Sequence, residues 1–214
     1  MYPVDLIIFD VDGTLIDSAK DLIDSVNFTL EAIGLPKEDP EQVQSFIGDG
    51  VRKLVERSLG QEHQHLYPKA VEIFRAYYDE HLLDQTRLYP GVEEILAHFA
   101  SKKRAILTNK SERFTVKILK GLNILTHFEE VVGSDNTAYL KPEPYGIFKI
   151  IEDLKIEKKR AVMVGDGVRD IEAAQNAGIK SCAVLYGYTD KERLLNVKPD
   201  FFCEKIFQLK EIFY

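Results

Sequence analysis

Ten residues near the amino terminus constrain this chain more than any other stretch: Leu6-Ile7-Ile8-Phe9-Asp10-Val11-Asp12-Gly13-Thr14-Leu15. Four apolar residues run into an acid, then an apolar residue, a second acid and a glycine. A short continuous apolar run bounded by turn residues suits a strand buried on both faces, as in a parallel sheet. Residues i and i+2 of an extended chain share a side, so Asp10 and Asp12 converge at the strand's carboxyl end. Open α/β sheets bind ligands at that edge. Two adjacent carboxylates attract a cation, or one of them holds a proton. Two plainer readings stand beside this one, an ordinary Asp-Gly turn and a calcium loop. The calcium loop fits poorly, because the glycine comes too early and the run before it is strand-like.

The opening strand needs partners, and the next seventy residues offer none. Asp17 or Ser18 can cap a helix carrying Leu22, Val26, Leu30 and Ile33, which Gly34 and Pro36 stop. Val51, Leu54, Val55 and Leu59 mark a second helix, ended by Gly60, and Val71, Phe74, Tyr78 and Leu82 a third. From Tyr89-Pro90-Gly91 onward, helical and strand patterns alternate. Strands are expected at 104–108, 128–132, 160–164, 181–185 and 200–203, with helices over 92–100, 111–121, 144–154 and 169–177. Such alternation implies a parallel sheet with right-handed crossovers. The economical solution joins the first strand to this later sheet. The fold class is therefore α/β, a Rossmann-like parallel sheet with helices on both faces. Its core is residues 1–16 and 86–214, and residues 17–85 form an inserted all-helical unit.

Composition bounds the partners. The 214 residues are 45% hydrophobic, enough for a sizeable core, and the formal net charge of −7 argues against a nucleic-acid-binding face. Cys182 and Cys203 sit in apolar, strand-like contexts without metal-ligand spacing, as buried thiols of a reducing compartment do. No apolar run reaches the length of a membrane span and no secretory signal opens the chain, so the expectation is a soluble cytoplasmic protein.

Three of the expected strands end in polar residues at the sheet's ligand-binding edge. The first ends at Asp10, the second continues into Thr108-Asn109, and the third into Gly165-Asp166-Gly167-Val168-Arg169-Asp170. Asp166 lies on the turn and Asp170 in the first helical turn, where it can equally serve as a helix cap and dipole partner. Lys141, before Pro142, would be an ordinary solvated loop lysine by itself. Beside several carboxylates and an anionic ligand it becomes a fixed positive charge.

Asp10-Val11-Asp12-Gly13-Thr14, Thr108-Asn109, Lys141-Pro142 and Gly165-Asp166-Gly167-Val168-Arg169-Asp170 resemble, in order and spacing, the four motifs of the haloacid dehalogenase-like hydrolase superfamily. The inserted helices resemble that superfamily's small helical cap domain, and within it the chain is most similar to phosphoglycolate phosphatases. The resemblance covers essentially the whole length. It implies that Asp10 is the nucleophile that accepts a phosphoryl group, and that Asp12 is the acid and base. It implies Mg²⁺ held by the Asp10 carboxylate, the Asp12 main-chain carbonyl and Asp166. Asp170 would support that site through a metal-bound water or by orienting Lys141. Thr108 would bind a phosphoryl oxygen, Asn109 would position substrate, and Lys141 would steady Asp10 and the phosphate. The superfamily's dehalogenases lack an acid where Asp12 stands, which favours phosphoryl chemistry.

The implied function is Mg²⁺-dependent hydrolysis of a small phosphorylated metabolite, with 2-phosphoglycolate foremost, by a monomer or homodimer without membrane or nucleic-acid partners. Pyrophosphate, a sugar phosphate, a nucleotide, or β-phosphoglucomutase-like transfer are alternatives within the superfamily. A non-catalytic phosphate-sensing or partner-binding protein is the alternative from another class. Within the insertion, Phe46-Ile47-Gly48-Asp49-Gly50-Val51-Arg52-Lys53 is a glycine turn opening a helix. Arg52 there is either a bidentate partner for a substrate carboxylate or a solvated surface arginine. The five histidines show no catalytic arrangement.

Overall fold

The apolar run at the amino terminus is strand β1 (Leu6–Phe9), buried throughout. In the computed structural model, which describes residues 1–135 and 139–214, β1 lies inside a six-stranded sheet. The other strands of that sheet are β4 (Lys103–Leu107), β5 (Glu130–Val132), β6 (Ala161–Gly165), β7 (Lys180–Val184) and β8 (Phe201–Cys203). Their spatial order is β5-β4-β1-β6-β7-β8, and every pairing is parallel. After β1 the chain builds outward through β4 and β5, then crosses back to β6 and continues the other way. The topology therefore reverses at β1, where a crevice opens beyond the strands' carboxyl ends.

Alternation along β1 divides the core. Ile7 and Phe9 face one apolar cluster, with Val92, Ile95 and Leu96 of α5 (Val92–His98) and Phe114, Ile118 and Leu119 of α6 (Glu112–Gly121). Leu6 and Ile8 face the other, with Ile147, Ile150 and Ile151 of α7 (Tyr145–Leu154) and Ala173, Ala174 and Ala177 of α8 (Val168–Ala177). Helices thus cover both faces, as buried parallel strands require. Two short helices, α9 (Lys191–Asn196) and α10 (Leu209–Ile212), complete the chain. The expected strands and helices are present with ends shifted by one or two residues, the scale on which helix ends fray.

The insertion holds four α-helices where periodicity marks three: α1 (Ala19–Ala32), α2 (Pro40–Ser45), α3 (Gly50–Leu59) and α4 (Tyr67–His81). Helix α2 has six residues, too few to show a period, yet it starts with Pro40 at its first turn and Asp39 accepting bonds from the Glu41 and Gln42 amides. The insertion leaves and returns through a two-stranded antiparallel ribbon, β2 (Ile16–Asp17) with β3 (Arg87–Leu88). Asp21 of α1 pins the return: its carboxylate accepts the amides of Gln85 and Thr86 and the Thr86 hydroxyl at 2.7–3.1 Å. Leu22, Val26, Leu54, Val55, Phe74 and Tyr78 of these helices join the same apolar cluster as Ile7 and Phe9, so the insertion and one face of the sheet share a core. No described helix is long and apolar enough to cross a membrane.

Candidate active site

Strand register brings the predicted acids together. Phe9 lies level with Ile106 on one side and Val164 on the other, so the chain leaves β1, β4 and β6 at one height. Asp10, Thr108 and Asp166 follow at these three ends, and Asp170 reaches back from the first turn of α8. Oxygens of Asp10, Asp166 and Asp170 come within 4.8 Å of one another, and all three residues are buried. Glycines make the approach possible. Gly13 takes a positive φ of 78°, and a Cβ there would stand 2.2 Å from Asp166 Oδ2. A Cβ on Gly165 would stand 2.2 Å from Asp170 Oδ2. An L side chain at either place would occupy the carboxylate's position.

Lys141 is the positive charge among these acids. Its Nζ lies 2.5 Å from Asp170 Oδ1 and 2.9 Å from Asp10 Oδ1. Burial alone would draw the ammonium's pKa down; the charges of Asp10 and Asp170 more than offset this and hold it above the usual lysine range. Asp166 is pushed up to about 8, first by burial and then by the charges of Asp10 and Asp170, against bonds from the Tyr188 amide and Thr14. Asp170 is raised by burial and the Asp10 charge, with Lys141 opposing.

Asp12 has a separate set of partners. Lys110 Nζ lies 3.0 Å from each Asp12 carboxylate oxygen, and the Ser18 hydroxyl donates to Oδ1 at 2.5 Å. Ser18 occupies the cap position of α1, yet its hydroxyl makes no cap bond and turns to Asp12 instead. The Ser18 amide donates to the Tyr188 hydroxyl at 2.7 Å, which donates in turn to Asp17. Burial alone would lower the Lys110 ammonium; Asp12 more than offsets this and raises it above the usual lysine range. Tyr78 of α4 lies with its ring centroid 4.8 Å from Lys110 Nζ, and burial pushes its hydroxyl up to about 12, so it stays neutral.

The other predicted residues divide. Thr108 lines the chamber beside Asp10 and Asp12. Asn109 acts as a cross-link. Its amide nitrogen donates to the Gly48 carbonyl of the insertion and the Lys141 carbonyl, and its oxygen accepts the Lys141 amide at 2.9 Å. Arg52 is not brought to the acids. Its side chain is 77% exposed on the outer face of α3 and pairs with Glu56 one turn on. Its neighbour Asp49 is the residue that reaches the core, bridging Arg57 of the insertion and Arg169 of the first turn of α8. The five histidines lie outside the two chambers that Asp10 and Asp12 line.

Lys110, Thr14, Ser18, Tyr188 and the Asp49–Arg169 pair are given no individual part in the site by the sequence. Lys110 had a signal, since it directly follows the polar end of β4. Thr14 had one as well: it closes the Asp10-to-Thr14 motif, and its hydroxyl accepts the Asp166 amide and donates to Asp166 Oδ1, each at 3.0 Å. Tyr188 lies far along the chain, and only the fold brings it to the site.

Three buried carboxyl groups face one lysine, whose ammonium lies 2.9 Å from the buried Asp10 Oδ1, so the acids outnumber the fixed positive charge. Hard oxygen donors with unspent charge suit Mg²⁺. Asp10 and Asp12 line two spaces. One is a chamber of about 30 Å³ beneath the insertion. The other is a cleft of about 610 Å³ that is also lined by Asp166, Asp170 and Tyr188.

Residues 7–184 match the family model described as haloacid dehalogenase-like hydrolase. A phosphoglycolate phosphatase of Aquifex aeolicus is 40% identical over 92% of this chain and 90% of its own. One of Chromobacterium violaceum is 37% identical over 87% of each. The crystal structure of a predicted phosphoglycolate phosphatase from Haemophilus somnus superposes with a TM-score of 0.92 at 29% identity, over 99% of both chains.

Proposed function

The chain belongs to the haloacid dehalogenase-like hydrolase family, and from that membership we propose that it is a Mg²⁺-dependent phosphatase working through an aspartyl-phosphate on Asp10. The observation that carries the proposal is the grouping of Asp10, Asp166, Asp170 and Lys141 at the topological reversal, with Asp12 two residues beyond Asp10 and held by partners of its own. Asp10, Asp166 and Asp170, with the Asp12 main-chain carbonyl, would hold Mg²⁺, which supplies charge neutralisation for phosphoryl transfer.

In this reading the Asp10 carboxylate attacks phosphorus, and the bond to the leaving alcohol breaks as the acyl phosphate forms. Asp12 gives its proton to the leaving oxygen. In the second step it takes a proton from the water that cleaves the acyl phosphate, which regenerates both acids. Lys141 holds Asp10 in the attacking position and balances charge on the phosphoryl oxygens, and Asp170 holds Lys141. Thr108 offers a hydroxyl to one of those oxygens.

The insertion is a cap over this centre, supported by the Gly48–Asn109 bond and the Asp49–Arg169 pair. The substrate is a small phosphorylated metabolite, most like 2-phosphoglycolate, as the relatives' names and the narrow chamber under the insertion favour. The free, buried thiols of Cys182 and Cys203 suit the cytoplasm. A phosphate-release screen across small phosphomonoesters, with Mg²⁺ or with chelator, tests the reading. Metal-dependent turnover supports it, and turnover indifferent to chelator contradicts it.

A further inference from the structure

The leaving alcohol must lie within hydrogen-bond reach of Asp12, the proton donor, which means about 2.6–3.2 Å. Lys110 Nζ is 3.0 Å from both oxygens of that carboxylate. Whatever is bonded to the leaving oxygen is therefore delivered to the neighbourhood of Lys110. An ammonium carries three donors; the Asp12 oxygens engage two, and the third lies toward the neutral Tyr78 hydroxyl, which leaves the positive charge unmatched by any second anion. Around it the chamber is apolar, walled by Leu22, Ile47, Val51 and Leu54, and Lys110 is the one cation among the described residues lining it. Three nearby arginines face other acids: Arg57 and Arg169 pair with Asp49, and Arg52 pairs with Glu56 on the exposed face.

We propose that Lys110 is the specificity residue of this site, binding an anionic group, a carboxylate, on the leaving alcohol of a small phosphomonoester. The inference rests on the phosphatase reading above and goes further by naming the residue that selects the substrate. It also moves carboxylate recognition from the insertion to the core, so selection and leaving-group protonation occur side by side. A neutral alcohol gains nothing from this cation, and a bulky one meets the apolar wall. Tyr78, neutral and buried beneath the ammonium, leaves its charge available to a second anion.

The test is the ratio of kcat/KM for 2-phosphoglycolate to that for ethyl phosphate, measured on the wild-type chain, Lys110→Met and Lys110→Gln with Mg²⁺. Both variants also disturb Asp12, so absolute rates are expected to fall on both substrates. The ratio isolates the carboxylate. A charge-assisted hydrogen bond in a dry chamber predicts that it drops at least ~10-fold in the variants. Equal proportional losses, with the ratio kept within about threefold, would show that Lys110 only positions Asp12 and would overturn the proposal. Should neither variant fold, the wild-type chain still decides by comparing 2-phosphoglycolate with its carboxyl methyl ester. Preference for the free acid by at least ~10-fold is expected, and indifference overturns the proposal. A wild-type chain inactive on all phosphomonoesters would instead remove the phosphatase reading, and this inference with it.

Discussion

Asp166 shows how much of this site is decided by single residues. Its carboxyl is held at about 8 by burial and by the charges of Asp10 and Asp170, against an unfolded value of 3.8. Between those values the metal-free folded chain keeps a proton that the unfolded chain has lost. Its contribution to stability is therefore full below about pH 4, declines as pH rises, and is gone above about pH 8. We expect thermal melts of the metal-free protein to move down between pH 6 and pH 9. Mg²⁺ should raise the midpoint by a margin that widens over the same range, because the acid no longer has to give up a proton to bind it. A margin independent of pH would contradict this account of Asp166. For Asp12, the proton-transfer role predicts that Asp12→Asn lowers kcat by ~10²–10⁴-fold while the circular dichroism spectrum is unchanged. A loss of less than about tenfold would remove Asp12 from that role.

At this scale the sequence was legible where chemistry demands a fixed spacing. Asp10 lies at a strand end, and Asp166 and Asp170 share a turn and a helix start, so the meeting of these three followed from period and register. Lys110 follows a polar strand end, but a lysine there is an ordinary surface residue until a neighbouring strand carries an acid to it. Arg52 was the opposite case: its type suited a carboxylate, but the helical phase of α3 turns it outward to Glu56.

Among elements, the decisive features are tight passages. Gly165 ends β6 where a Cβ would sit 2.2 Å from Asp170 Oδ2, with the Asp170 carboxylate also bonded to the Gly167 amide at 2.8 Å. We expect Gly165→Ala to fold and to lose about 10²-fold in kcat, since a displacement near 1 Å in such a centre has an effect of that size. Unchanged kcat would show that the Asp170 position is not critical. Asp21, which accepts the Gln85 and Thr86 amides and the Thr86 hydroxyl, ties helix α1 to the returning linker. Asp21→Ala strands buried donors, so urea unfolding should show a loss of about 1–3 kcal/mol. A loss under about 0.5 kcal/mol, the ordinary scale of a surface change, would contradict the pin.

The sequence marked the long helices and buried strands, because their periods run over many residues. It did not mark α2 or the two-residue strands β2 and β3. These are too short to carry a period, and β2 and β3 become strands only by pairing with each other across the insertion.

At the scale of the molecule, the parallel sheet supplies one edge on which four separated motifs meet, and the helical insertion packs into the same apolar cluster as β1. The α/β fold class was readable because an isolated buried strand must find partners, and only the later alternating segment offers them. How the insertion meets the core was not readable. The Gly48–Asn109 and Asp49–Arg169 contacts join residues 61 and 120 positions apart, a distance no local pattern spans.

The central claim is that Asp10 takes the phosphoryl group. It is tested most directly by quenching the Mg²⁺-loaded protein with acid during turnover of 2-phosphoglycolate, trapping any acyl phosphate with borohydride, and locating the modified residue by peptide mass spectrometry. The account predicts modification at Asp10, absent without Mg²⁺ and absent in Asp10→Asn, which should also release no phosphate. An unmodified Asp10 peptide, together with phosphate release that persists in Asp10→Asn, would contradict it.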